Sequence, residues 1–252
     1  MIFKYKLRAA LWHFLITAAV GALIAALVFL VWFPPPFAAM MDGIKLFFIV
    51  LGCDLALGPL MSLVIYNHNK SRRELIIDYL IIGAIQLAAL VYGVFVVAQY
   101  RPAYIAFTVD RFDVISAGDL TAEDLKQAAL PQYRHAPWFG PQLVAVIKPQ
   151  NAEDQYNAIF LALGGKDISA RPKFYRPYDS RRDDIIKAIQ PLSTLFTKHP
   201  DRQTEVMNAI KAHHLNTSSA GWVPVKHRRG FWIALMNISN AMPVAYLPID
   251  PY

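Results

Sequence analysis

The stretch IKLFFIVLGCDLALGPLMSLVIY, residues 44–66, limits what this chain can fold into more than any other: an apolar run of 23 residues with one acid, Asp54, and a Gly58-Pro59 pair. As a helix rising about 1.5 Å per residue it would be roughly 35 Å long, enough to cross a hydrocarbon core of about 30 Å. A soluble core helix does not need that length. Asp54 falls near the middle, where an ionised carboxylate costs roughly 2.5 to 3.5 kcal/mol. It must therefore face protein or be protonated. Pro59 has no N–H for the carbonyl of Leu55, so a kink is expected at Gly58 and Pro59, one turn past the acid, where it would open a small polar gap.

Two more runs have the same character. Residues 10–33 hold His13 as their only ionisable group, follow Lys4, Lys6 and Arg8, and end at Pro34, Pro35 and Pro36. This run exceeds the apolar core of a secretory signal, about 7–15 residues, and reads as an uncleaved span. Residues 75–98 carry Asp78 near their start and Gln86 at their centre. The loop at 67–73 is basic (Lys70, Arg72, Arg73), like the amino terminus, while the loop between the first two runs offers only Asp42. That asymmetry puts the amino terminus in the cytoplasm and whatever follows the third span on the far side, the periplasm of a Gram-negative cell. Gln86 and Asp54 lie at similar depth. A hydrogen bond between them would tie spans two and three; alternatively, Asp54 serves a partner outside the chain.

After residue 100 the composition changes, giving a transmembrane domain over residues 1–100 and a periplasmic domain over residues 101–252. The fold class expected is a membrane-anchored α+β protein: three transmembrane helices, then a domain with a mainly antiparallel sheet and packed helices. Residues 104–109 and 112–115 read as strands around Asp110-Arg111, 143–147 as a buried strand, and 152–163 as a helix closed by Gly164-Gly165. Helices are expected over 181–189 and 202–213, and strands over 222–225, 231–236 and 244–247. Pro224 assigns the first of these strands to a sheet edge, and Ser239-Asn240 turns the last two into a hairpin.

Chemistry is scarce. His213 and His214 are consecutive and would point to different faces of a helix, so they lack metal-site spacing, and the single cysteine, Cys53, lies inside an apolar run. There is neither a phosphate loop nor a nucleophile elbow. No metal, cofactor or enzymatic activity is expected. The net charge of +7 is spread over both parts and mixed with acids, which does not suggest nucleic acid as a partner. The least regular segment, 166–180, mixes Arg171, Lys173 and Arg176 with Phe174, Tyr175 and Tyr178. It either grips an acidic or aromatic partner or packs its rings down while its charges stay wet.

Several motifs carry a resemblance over nearly the whole length: Asp-Leu-Ala-Leu-Gly-Pro from Asp54, Arg-Arg-Glu-Leu from Arg72, Ile-Gln-Leu-Ala-Ala-Leu around Gln86, the three prolines, Asp110-Arg111-Phe112 and the closing LPIDPY. Together they resemble the type IV pilin accessory proteins. The resemblance implies a multi-pass inner-membrane protein that aids pilus assembly, with the lipid bilayer, the type IV major pilin and other pilus assembly proteins as partners. Type IV pilins generally carry an acid near the start of an apolar amino-terminal helix, so Asp54 and Gln86 would offer that group a partner in lipid. The function expected is a pilin-specific chaperone or assembly modulator. The alternative is a membrane-anchored periplasmic sensor or small-ligand-binding protein, disfavoured by the lack of a cytoplasmic output domain.

Overall fold

The three apolar runs form long helices with apolar side chains all round, the pattern of a segment that does not meet water on any face. In the computed structural model, which describes residues 2–41, 43–65 and 70–252, they are α1 (Ile2–Ala26, continued by a π-helical turn over Leu27–Trp32), α2 (Gly43–Ile65) and α3 (Arg72–Tyr100). All three are long and apolar enough to cross a membrane. Asp42 and residues 66–69, part of the loop-charge reading, lie outside the described residues. Large side chains such as Leu23, Leu30 and Val64 point away from the protein.

Small residues let the helices meet. A Cβ on Gly21 would run into a methyl of Leu51, and one on Gly93 into a methyl of Val50, so α1 and α3 both approach α2 through glycine. α3 begins at a capping box: Ser71 Oγ accepts from the Glu74 N–H, and the Glu74 carboxylate accepts from the Ser71 N–H. Asp78, the acid just inside this helix, is paired with Lys70 at 2.6 Å.

Contacts within the chain divide it into two units, Met1–Arg101 and Pro102–Tyr252. The second is built on an eight-stranded sheet: β1 (Pro102–Phe107), β2 (Phe112–Ser116), β3 (Gln142–Val146), β4 (Tyr175–Pro177), β5 (Gln190–Pro191), β6 (Ala220–His227), β7 (Gly230–Asn237) and β8 (Met242–Leu247). The strand order is β4-β3-β1-β2-β6-β7-β8, with β5 also paired to β6. Antiparallel pairings dominate, but β1 with β3 and β2 with β6 are parallel, which makes the sheet mixed. Around it lie α4 (Ala122–Lys126), α5 (Ala152–Leu163), α6 (Arg182–Ala188), α7 (Leu192–Lys198) and α8 (Gln203–Ala212).

Pro224 sits inside the sheet, not at its edge as the sequence suggested. One side of β6 pairs fully with β7; the other pairs with β5 at Gly221 and Trp222 and with β2 at Val225 and Lys226. Pro224 stands opposite Ile233 of β7, and on its other side it falls between the pairing with β5 and the pairing with β2. The sequence motifs outside the long helices prove to be packing nodes. Phe112 is fully buried against Phe107 and Tyr178, Arg111 holds Asp113 at 2.8 Å and Asp167 at 3.1 Å, and Ile249 of the closing LPIDPY enters a core with Leu195, Ile210 and Trp222. A second core gathers Tyr104, Tyr133 and Tyr175 edge to face, with ring centroids 5.0 to 6.1 Å apart.

Candidate functional site

Two polar sites are built into the long helices, about a turn apart along α2. The first joins all three. His13 Nε2 lies 2.8 Å from Gln86 Oε1, and His13 Nδ1 lies 2.6 Å from Ser62 Oγ. The amide oxygen can only accept, so Nε2 carries the proton, and in the neutral ring Nδ1 accepts from the Ser62 hydroxyl. Gly58 makes the space: a Cβ there would be 2.5 Å from Gln86 Nε2 and 2.9 Å from His13 Nε2. α2 is helical through Pro59, and the glycine admits side chains from both neighbouring helices.

Asp54 is the second site, and Gln86 is not its partner. The carboxylate is 8% exposed and has no hydrogen bond or ion pair among the described residues. It lines an open, largely apolar groove of about 300 Å³ between α2 and α3, with Ile49 and Cys53 beside it and Ala89, Tyr92 and Val96 opposite. The glycine contact of Gly93 on Val50 keeps the two helices close along this groove.

The basic and aromatic segment of the sheet unit is turned inward. Phe174, Tyr175 and Tyr178 are buried, and burial holds the Tyr175 and Tyr178 hydroxyls far above the usual phenol range. Tyr178 donates to the Ala241 carbonyl at 2.5 Å and Tyr175 to that of Ser169 at 2.5 Å. Arg171 is also buried, its guanidinium 5.1 Å from the centre of the Phe174 ring. Lys173 pairs with Asp154 at 2.6 Å, and Arg176 donates to the Tyr175 carbonyl at 2.7 Å. Rings of this size gain more from the core than from display, so the segment offers a partner little beyond the heads of Lys173 and Arg176.

A cleft of about 360 Å³ in the same unit was not legible in the sequence. Asp113 lies at its floor, 3% exposed, with one carboxylate oxygen on Arg111 and the other without a partner. Burial raises its carboxyl above the usual value, against the pull of Arg111. The cations around the cleft are already engaged: Lys226 with Asp167, Arg228 with Asp119, and Lys166 with Asp124. Among the described residues no group of three or more His, Cys, Asp or Glu is placed to hold a metal.

Comparison with known proteins follows the same lines. The family model described as fimbrial assembly protein FimB matches residues 2–42. The chain is 37% identical over 238 residues to the fimbrial assembly protein, serogroup I, of Dichelobacter nodosus, covering 92% of each chain. It is 35% identical over 238 residues to the serogroup E1 protein of that organism, again covering 92% of each. A third relative there, the fimbrial assembly protein of serogroups C1 and C2, is 40% identical over 116 residues, 46% of this chain and 88% of that one. No solved structure matches the chain.

Proposed function

Because the chain belongs to the fimbrial assembly protein family, we propose that it acts in pilus assembly as an inner-membrane protein that holds the type IV pilin subunit before it is assembled. In this reading α1 to α3 cross the bilayer with the amino terminus in the cytoplasm, and the sheet unit stands in the periplasm. The observation that carries it is Asp54: a carboxylate near the middle of a span, without a partner among the described residues, on the wall of an open apolar groove. Such a group is costly to keep in lipid and is retained where it meets something. An apolar helix with a polar group near its start fits that description, its side chains covering the groove while its polar group and Asp54 satisfy each other away from water. The protein is then a binder and not a catalyst.

The test is photo-crosslinking from single sites at Ile49 and Tyr92, which flank the acid, in cells making pilin. The expected product contains pilin. Asp54→Leu should abolish it at normal protein abundance, and Asp54→Asn should retain part of it. Unchanged capture and normal piliation in the Leu variant would remove Asp54 from the mechanism. A ligand-sensing sheet unit is the second reading, and the Asp113 cleft is what favours it; the pairing of the surrounding cations makes it the weaker of the two.

A further inference from the structure

Helix α5 is joined to its unit by one narrow face. Asp154, paired with Lys173, and half-buried Ala158 lie on one side of it. At about 100° per residue, Tyr156, Ile159, Phe160 and Leu163 fall on the opposite side, in a stripe about 100° wide. They are 69%, 66%, 64% and 85% exposed. The Tyr156 and Phe160 rings stack on each other, 6.4 Å apart, and none of the four residues belongs to either apolar core. Local signals do specify the helix, with Asn151 capping the Asp154 N–H and Gly165 in the left-handed region past its end. Twelve residues are nevertheless marginal as a helix in water without a surface to pack on. Scattered apolar side chains on a surface need no explanation, whereas a continuous row at helical spacing marks an interaction face.

We propose that this stripe is an interfacial membrane-binding helix, its apolar face lying at the boundary between headgroups and acyl chains of the bilayer that the same chain crosses. The proposal rests on the reading that α1 to α3 span a membrane. Proximity favours lipid over any protein: only Arg101 separates the end of α3 at Tyr100 from the start of β1 at Pro102, so the unit is tethered at a bilayer surface at all times and contact with it is intramolecular. Charge is divided around the helix. Lys148, just before it, is exposed and in no ion pair among the described residues, which suits it to lipid phosphate, and Asp154 is turned inward and neutralised by Lys173. Exposed Glu153 sits at the edge of the stripe, about 20° from Phe160, so proximity and not charge selects lipid.

The test uses the full chain with Cys53, its only cysteine, replaced by alanine, one copy per nanodisc containing acidic phospholipid and no pilin. Nitroxides are placed singly at positions 155–163 and at Leu87 of α3, and accessibility to oxygen and to a water-soluble nickel chelate is compared. Oscillation with a helical period is expected, with labels at Tyr156, Phe160 and Leu163 below the phosphates and those at Asn157 and Ala162 above. Phe160→Asp combined with Leu163→Asp, which removes the ring stack on Tyr156 but takes no residue from either apolar core, should return a label at Tyr156 to water. Aqueous accessibility along the whole stripe, or shielding from both reagents as in a protein contact, would overturn the proposal. The Leu87 label reports separately whether α3 lies in lipid.

Discussion

Substituting alanine for Gly58 tests whether the His13, Ser62 and Gln86 contacts hold the three long helices together. The new Cβ would lie 2.5 Å from Gln86 Nε2, whereas ordinary contact begins near 3.4 Å, so the amide must retreat by about 0.9 Å. From 2.8 Å that carries its oxygen beyond hydrogen-bonding range of His13. A lost intramembrane hydrogen bond costs about 0.6 to 1.7 kcal/mol, and forcing the helices apart instead costs about 1 to 3 kcal/mol. Alanine is the better helix former by about 1 kcal/mol, which offsets part of this. The single substitution should therefore destabilise by roughly 1 kcal/mol, a value too small to interpret alone. Coupling is the sharper quantity. In a Gln86→Ala background the obstructing amide is gone and the His13 ring has room to turn, so Gly58→Ala should become neutral or stabilising by up to about 1 kcal/mol, with an interaction energy of about 1 to 2 kcal/mol. Reversible unfolding by SDS in mixed micelles, followed by circular dichroism, measures all four proteins. Additivity within about 0.5 kcal/mol would refute the packing argument.

Other expectations concern the sheet unit and the orientation of the chain. Burial pushes the Asp124 carboxyl up, but hydrogen bonds from Lys166 and Thr121 outweigh it and hold the group below the usual 3.8, so its contribution to stability is complete above that value and is lost as the pH falls further; Asp124→Asn should flatten the acid limb of the unfolding profile. Ile249→Ala should cost about 2 to 5 kcal/mol in thermal unfolding, because the side chain is 2% exposed within a core; a loss under about 1 kcal/mol would mean the carboxyl-terminal segment is only draped on the surface. A reporter active only in the cytoplasm, fused after Tyr252, should be silent, and activity there would reverse the proposed orientation.

Long apolar runs were legible because length and composition alone decide them, and short strands with turn signals, such as those flanking Asp110-Arg111, were legible for similar reasons. What escaped was set by neighbours distant in sequence. α7 and the two-residue β5 exist through Trp222, whose indole N–H donates to Pro191 and Thr194 at 3.1 Å, and no local pattern announces that contact. The parallel pairings of β1 with β3 and of β2 with β6 likewise depend on where connections return. The aromatic segment from Phe174 to Tyr178 was read correctly for composition, yet composition does not say which way a ring faces.

Depth along a span is equally blind to rotation, and this explains the pairing of Gln86. Asp54, Gly58 and Ser62 follow one another at four-residue intervals, each turned about 40° from the last. Ser62 and Gly58 meet His13 of α1 and Gln86 of α3, whereas Asp54, about 80° round from Ser62, opens onto the groove lined by Ala89, Tyr92 and Val96. α2 thus carries a ladder whose lower rungs are satisfied within the chain and whose last rung has no partner among the described residues. Holding three helices together would be served as well by an apolar residue at position 54, since the lower rungs already do so. On the proposed reading, a donor arriving from outside offsets the cost of an acid at mid-span, which is the argument for looking for the pilin subunit at Asp54 and not at Gln86.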